Sequence, residues 1–328
     1  MTRPTPSSPQ SIIEIATAFQ RSRALLTAFE LGIFTVLNEQ SLTSADVAAA
    51  VDADPRATDR LMNALVALGL LAKEAGRFAN GPLAAEFLVK GRPRYLGALA
   101  HTANLWDTWS GLTGAVRDGR PVGRAAINER GEEWLRAFIA AMHWRAREAA
   151  PEVVQLAGLE RPSRVLDLGG GSGAFAMAFA RAGHTAVVFD LANVVPLTQA
   201  YIAEEALAAQ VETMAGDYLK DPIGDGYDAA LLSSVIHSHP PDENRALLRK
   251  VAAALNPGGT IVVRDFLADE DRSGPLQPAL FALNMLVGTS GGDTYTEGEV
   301  RGWLREIGCR EVIRRNTGAG ADLVIGRL

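Results

Sequence analysis

An acid followed by glycines at alternate positions, Asp167-x-Gly169-x-Gly171-x-Gly173, constrains this chain more than any other feature. The apolar, β-branched run Ser163-Arg164-Val165-Leu166 feeds it, and an Ala/Phe-rich helical pattern follows over residues 174–182. Strand, glycine loop and helix in that order make the layout of a nucleotide-type cofactor site. Glycine lets backbone approach a ligand closely and lets the turn visit positive φ. Gly169, Gly170, Gly171 and Gly173 are the expected cradle. The loop alone is ambiguous, because Gly169-x-Gly171-x-x-Ala174 also fits a relaxed dinucleotide fingerprint.

The acid two residues before the first glycine tips the choice. Asp167 would repel a pyrophosphate. It would welcome a cofactor with an ammonium group and a sulfonium charge, and S-adenosylmethionine is such a cofactor.

Composition bounds the rest. At 328 residues the chain is long enough for roughly two domains. Apolar residues make up 48%, ample for a large core, and the formal charge of −6 argues against a nucleic-acid partner. Residues 1–10 read as a disordered, Pro/Ser-rich tail without the apolar core of a signal peptide. No apolar run is long enough to cross a bilayer, so no membrane partner is expected. The single cysteine, Cys309, excludes an internal disulfide and any Cys-cluster metal site. The expectation is a cytoplasmic protein.

Residues 11–100 read as a winged-helix domain and residues 101–328 as a cofactor-binding domain. In the first, Thr43-Ser44-Ala45-Asp46 opens a short helix, Asp54-Pro55 opens the next, and Lys73-Glu74-Ala75-Gly76-Arg77-Phe78 reads as a hairpin turn. The would-be recognition helix carries Arg56 and Arg60 beside Asp54 and Asp59, too weak a balance for DNA. Its Leu and Ala content suits packing and dimerisation better. Helical stripes follow over residues 101–116, with Trp106 and Trp109, and over residues 132–156, with Gly119-Arg120-Pro121-Val122-Gly123 as a loop between.

From residue 165 strands alternate with helices: strands at 165–168, 185–190, 211–214, 227–233 and 260–265. Asn256-Pro257-Gly258-Gly259 ends the helix before the last of these, and a helix spans residues 296–307. The expected fold is α/β, a Rossmann-like, mostly parallel sheet with residues 311–315 and 321–326 as an antiparallel edge hairpin. Ligands in such sheets bind at the carboxyl ends of strands. Asp190 ends the second strand at the offset of a ribose-binding acid, and Asp217, followed by Tyr218, ends the third.

The Asp167 loop, Phe189-Asp190-Leu191, Gly216-Asp217-Tyr218 and Asn256-Pro257-Gly258-Gly259 resemble the plant-type small-molecule O-methyltransferases and their bacterial relatives. So do Ala28-Phe29-Glu30-Leu31-Gly32-Ile33-Phe34 and Leu65-Val66-Ala67-Leu68-Gly69-Leu70-Leu71, which match that family's dimerisation domain. The resemblance covers nearly the whole chain after the tail and is specific for fold and cofactor, not for substrate. It implies a homodimeric class I methyltransferase that methylates a hydroxyl of a small aromatic or polyketide-like metabolite. Asp167 and the glycine loop would hold the methionine part, Asp190 and Leu191 the ribose side, and Gly216, Asp217, Tyr218 and Ser233 would complete the cofactor site. His237 matches the family's general base, and no metal is expected; His239 lacks further ligands. Phe138 and Met142 before the loop, and Phe281, Asn284 and Met285 after it, are the expected substrate contacts.

Three positions depart from the family pattern. Ser238 follows the histidine where many relatives carry an acid, and His239 stands where an aromatic often follows. Thr294 occupies the place of the acid that orients the histidine, with Asp293 or Glu297 as substitutes. A histidine without a carboxylate is a weaker base. That leaves open methylation of carbon or nitrogen, and non-methyl chemistry with a retained cofactor.

Overall fold

The computed structural model describes residues 6–121, 131–318 and 320–328. Residues 1–5 of the expected tail, and Val122 and Gly123 of the expected loop, lie outside the described residues. The chain divides into two compact units, Met1–Asn104 and Leu105–Leu328.

In the first unit, α1 (Pro9–Glu30) starts inside the expected tail, because Ser8 caps it and Pro9 suits a first turn. After α2 (Ile33–Leu37) and β1 (Leu42–Thr43) comes α3 (Ser44–Ala50), closed by a capping box in which Thr43 and Asp46 satisfy each other's backbone N–H groups. Asp54 caps α4 (Pro55–Ala67). The hairpin of β2 (Leu71–Glu74) and β3 (Arg77–Asn80) takes β1 alongside, in the order β1-β3-β2. Ile33, Phe34, Leu37, Met62, Leu65 and Phe78 fill the core between these helices and the wing, and α5 (Pro82–Phe87) follows.

The next stripe is two helices rather than one, α6 (Leu99–Ser110) and α7 (Leu112–Asp118), parted at Gly111. Then α8 (Glu132–Ala157) leads to β4 (Arg164–Leu168), α9 (Ala174–Arg181), β5 (Thr185–Asp190), α10 (Val195–Glu204), β6 (Val211–Ala215) and β7 (Tyr227–Ser233). The remainder is α11 (Pro241–Ala254), β8 (Leu255–Asp265), β9 (Leu267–Ala268), α12 (Leu276–Gly288), β10 (Tyr295–Thr296), α13 (Glu297–Glu306), β11 (Glu311–Arg315) and β12 (Asp322–Arg327).

Seven strands form one sheet in the order β11-β12-β8-β7-β4-β5-β6, with β4 to β8 mutually parallel and β12 and β11 antiparallel at the edge. The expected edge hairpin is therefore present. Asn256-Pro257-Gly258-Gly259 is not a helix end but the opening of β8, which pairs with Tyr227 through Leu255 before a register shift. β9 and β10 form a short parallel pair that the sequence pattern did not announce.

Alternation sorts the buried side chains onto two faces. Leu166, Leu168, Val187, Phe189, Ala230 and Leu232 pack with α11 and α13 on one side. Val165, Val188, Ala229 and Leu231 pack with α8 and α9 on the other. Covered on both faces, the strands read as continuous apolar runs. β4 lies between β5 and β7, the switch point at which such sheets open a crevice at their carboxyl ends. Leu166→Ala, at a fully buried site in this central strand, is expected to cost about 2–5 kcal/mol, read by chemical denaturation.

Candidate active site

The glycine loop leaves β4 and is tied on several sides. Gly169 N–H donates to Phe189 O at 2.8 Å. Gly171 N–H donates to Asp190 Oδ2 at 2.7 Å, and the Thr198 hydroxyl donates to Gly171 O at 2.5 Å. Ser172 Oγ lies 2.9 Å from Nδ1 of His143, which hangs from α8 and stacks on Tyr201. Gly170 is obligatory on space: a Cβ there would lie 2.7 Å from the Asp167 carboxyl carbon.

Asp167 is wholly buried beneath the loop. Its Oδ2 accepts the Ala176 N–H at the start of α9 at 3.1 Å, while Oδ1 has no partner. Burial pushes its pKa up to about 7, against the Ala176 hydrogen bond and with a smaller push from Asp190. At the end of β5, Asp190 also takes Leu191 N–H at 2.7 Å, so each of its oxygens already holds one backbone donor. Burial raises its pKa, and those two hydrogen bonds oppose the rise. Leu191 packs with Leu135, Ile139 and Val194.

At the end of β6, Gly216 lets the chain pass Phe189; a Cβ would meet that ring at 2.6 Å. Asp217 turns to its own loop, with Oδ1 accepting from Leu219 N–H at 3.0 Å and Oδ2 paired with Lys220 at 2.8 Å. The Lys220 hydrogen bond holds its pKa below the ordinary carboxylate range. Tyr218 borders the glycine loop, since a Cβ on Gly169 would meet its ring at 3.5 Å. Its hydroxyl lies 2.7 Å from His239 Nε2, and His239 Nδ1 lies 3.1 Å from Glu243. His239 is thus a link between Tyr218 and Glu243. Ser233 ends β7, but its hydroxyl is taken by Arg264 at 3.3 Å rather than by the loop.

His237 sits in a single 3₁₀ turn, Ile236–Ser238, just beyond β7. Its Nδ1 lies 2.8 Å from Oδ1 of Asp265, the last residue of β8, which is only 2% exposed. Asp265 also accepts His237 N–H at 3.3 Å and Phe266 N–H at 2.9 Å. A carboxylate can only accept, so Nδ1 carries the proton and Nε2 is left as the basic nitrogen. The expected orienting acids do not serve. Asp293 pairs with Arg272, Glu297 with Arg301 and Arg314, and Thr294 is buried against Pro278 O. The Gly-Gly loop still reaches the histidine, through backbone: Asp293 N–H donates to His237 O at 3.0 Å.

On the substrate side, the Phe281 ring meets the His237 ring edge-on at 4.9 Å, and Phe266 packs on Phe281 at 4.7 Å. Asn284 accepts the Trp109 indole N–H at 3.1 Å. Met285 is buried. Phe138 stacks on Trp134 and packs near Leu191, and Met142 is half-buried one turn further along α8. Of the five expected contacts, Phe281 alone is brought against His237 by these interactions.

Residues 109–310 match the model of an O-methyltransferase domain, and residues 13–90 match an O-methyltransferase dimerisation domain. The chain belongs to the O-methyltransferase family. It is 33% identical to 3-hydroxy-5-methyl-1-naphthoate 3-O-methyltransferase of Streptomyces sahachiroi, over 95% of this chain and 92% of that protein. It is 33% identical to the acetylserotonin O-methyltransferase of Bos taurus, over 96% of each. Human N-acetylserotonin methyltransferase, solved in complex with S-adenosylmethionine, superposes with a TM-score of 0.86 at 28% identity, covering 100% of this chain and 99% of that one.

This O-methyltransferase uses S-adenosylmethionine, and the site fits that cofactor on its own evidence of shape and charge. A buried carboxylate oxygen lacks a partner, beneath a loop in which Gly170 leaves no room for a Cβ. Among the described residues no group of three or more metal-ligating side chains is present, and no helix is long and apolar enough to cross a membrane. Sequence reasoning missed Asp265, Thr198 and His143. Asp265 had one signal, an acid closing a strand beside His237's strand.

The raised pKa of Asp167 has a consequence for stability. Its folded value near 7 lies above its unfolded value near 4, so between these the folded chain holds a proton that the unfolded chain has lost. Without cofactor, stability should therefore fall as pH rises from about 4 to about 7. Asp167→Asn should flatten that window when denaturation midpoints are compared across pH.

Proposed function

We propose that the protein methylates a hydroxyl of a small aromatic or polyketide-like metabolite, with His237 as general base. The observation that carries this reading is the buried Asp265–His237 pair, which engages Nδ1 and leaves Nε2 as the basic nitrogen of a ring that meets Phe281 edge-on. Bound S-adenosylmethionine supplies an electrophilic methyl group. His237 takes the hydroxyl proton at Nε2, and Asp265 holds the ring's tautomer and balances the imidazolium that forms. Asp167, with its unpartnered oxygen, would hold the cofactor's ammonium group, and Asp190 would receive the ribose through its remaining lone pairs. Gly216, Asp217 and Tyr218 would wall the adenine, and Phe281 with Phe138 would offer apolar surface to the acceptor ring. Most of the rate comes from holding acceptor and donor in line.

Asp265 bears on the rival reading. Non-methyl chemistry was left open because the histidine lacked a carboxylate in the expected place. Asp265 supplies one, so that reason lapses. A relative from Streptomyces rimosus, 31% identical, is named an N,N-dimethyltransferase, which makes the acceptor atom a point for measurement. S-adenosylhomocysteine release should depend on phenols rather than amines. His237→Ala should lower kcat by about 10²–10⁴-fold, and Asp265→Asn should lower it in the same direction. Unchanged turnover of His237→Ala at saturating substrate would remove the base assignment.

The same reading makes the protein a homodimer through residues 11–100, acting in the cytoplasm without nucleic acid. The matched dimerisation domain supports self-association, and so does α1, which exposes Ile12 at 61% and Ile15 at 67%. Ile12→Glu with Ile15→Glu should shift the mass seen by light scattering from dimer to monomer. In the first unit, Arg60 of α4 is paired with Asp59 at 2.9 Å, which weakens a DNA-facing role.

A further inference from the structure

Asn284 does more than sit in an apolar helix. An indole N–H can only donate, so the amide atom 3.1 Å from Trp109 Nε1 is the carbonyl Oδ1. That contact decides which way the amide faces. Oδ1 is committed to Trp109, and the two N–H donors of Nδ2 have no partner among the described residues. Asn284 is half-buried, and Nδ2 is not one of the sealed, unpartnered atoms, so a ligand can reach it. A donor held in apolar surroundings gains from an acceptor and loses when none is offered.

Its place on α12 says which ligand that is. Phe281 lies three residues earlier, on the same face of the helix, and its ring meets His237 edge-on at 4.9 Å. One helix face therefore presents a flat apolar ring beside the base and, one turn on, an amide whose oxygen is held by Trp109 and whose N–H donors are turned the other way. An amide free to rotate would serve a donor or an acceptor equally; Trp109 removes that freedom.

We propose that Asn284 is a specificity-determining residue that selects hydroxyarenes bearing a hydrogen-bond acceptor, such as a ring ketone, quinone or carboxylate, apart from the hydroxyl that is methylated. The inference rests on the proposed phenol-methylating function and names its substrate class. Trp109 is the positioning residue that sets the amide's polarity.

The test uses the full-length chain and naphthols carrying an acetyl group at successive ring positions, each paired with its isopropyl near-isostere, which lacks the acceptor. The readout is the ratio of kcat/KM within each pair, by S-adenosylhomocysteine release. At one position or more, the acetyl compound should be favoured about tenfold, the worth of one hydrogen bond. Asn284→Ala should bring that ratio near one, mainly through KM. Asn284→Asp keeps an acceptor for Trp109 but turns oxygen toward the ligand, and should push the ratio below one. Trp109→Phe should lower the ratio by freeing the amide. Thermal melting and S-adenosylhomocysteine binding confirm that each variant is folded. Ratios near one throughout the wild-type panel, or ratios that the Asn284 variants leave unchanged, overturn the inference. If no naphthol is methylated by a chain that binds cofactor, the functional reading fails by itself. Dissociation constants of the same pairs, measured calorimetrically with S-adenosylhomocysteine present, then decide the inference. An acetyl preference lost in Asn284→Ala supports it, and equal constants overturn it.

Discussion

The buried carboxylate of Asp265 accepts three N–H donors, and the turn that presents His237 is organised around them. Two of those donors belong to His237 itself, so backbone and ring are fixed by one group. The other side of the turn is held as firmly. Asn244 donates to the carbonyls of Ile236 and His239 at 2.9 and 3.0 Å, and Tyr295 donates its hydroxyl to His239 O. The turn begins at Ser234, whose φ of +60° is unusual for a residue with a side chain. Such a conformation persists where its surroundings over-determine it, as they do here.

The cofactor end of the crevice is built on the opposite balance. Asp265 is saturated with donors, whereas Asp167 has one donor and one empty oxygen in complete burial. Leaving a buried acceptor unsatisfied costs about 1–3 kcal/mol. The chain carries that cost where a cationic ligand would relieve it, and neutralises the acid meanwhile by a pKa near 7. Asp190 and Thr198 hold the glycine loop by its Gly171 amide and carbonyl, so the chain's own groups fix the cradle.

Much of this was legible in the chain. The alternate glycines behind Asp167, the apolar runs over residues 185–190 and 227–233, and the helix starts at Thr43 and Asp54 each depend on near neighbours, and each element forms where the pattern puts it. Boundaries slipped where two local signals competed. Asn256-Pro257-Gly258-Gly259 carries the composition of a turn, yet pairing with β7 draws it into β8. Pro9 reads as tail, yet Ser8 makes it a helix start.

By itself the sequence determined the fold class and the cofactor, because strand periodicity, a glycine loop and an acid before it act over a few consecutive residues. Only the tertiary structure decided which acid holds the His237 ring and which way the Asn284 amide points. Asp265 reaches His237 across 28 positions, and Trp109 reaches Asn284 across 175. Neither pairing has a periodicity, because a hydrogen bond between distant segments is set by strand order and helix packing rather than by spacing along the chain. The family position for the orienting acid holds Thr294, while the carboxylate against the His237 ring sits at the end of the neighbouring strand.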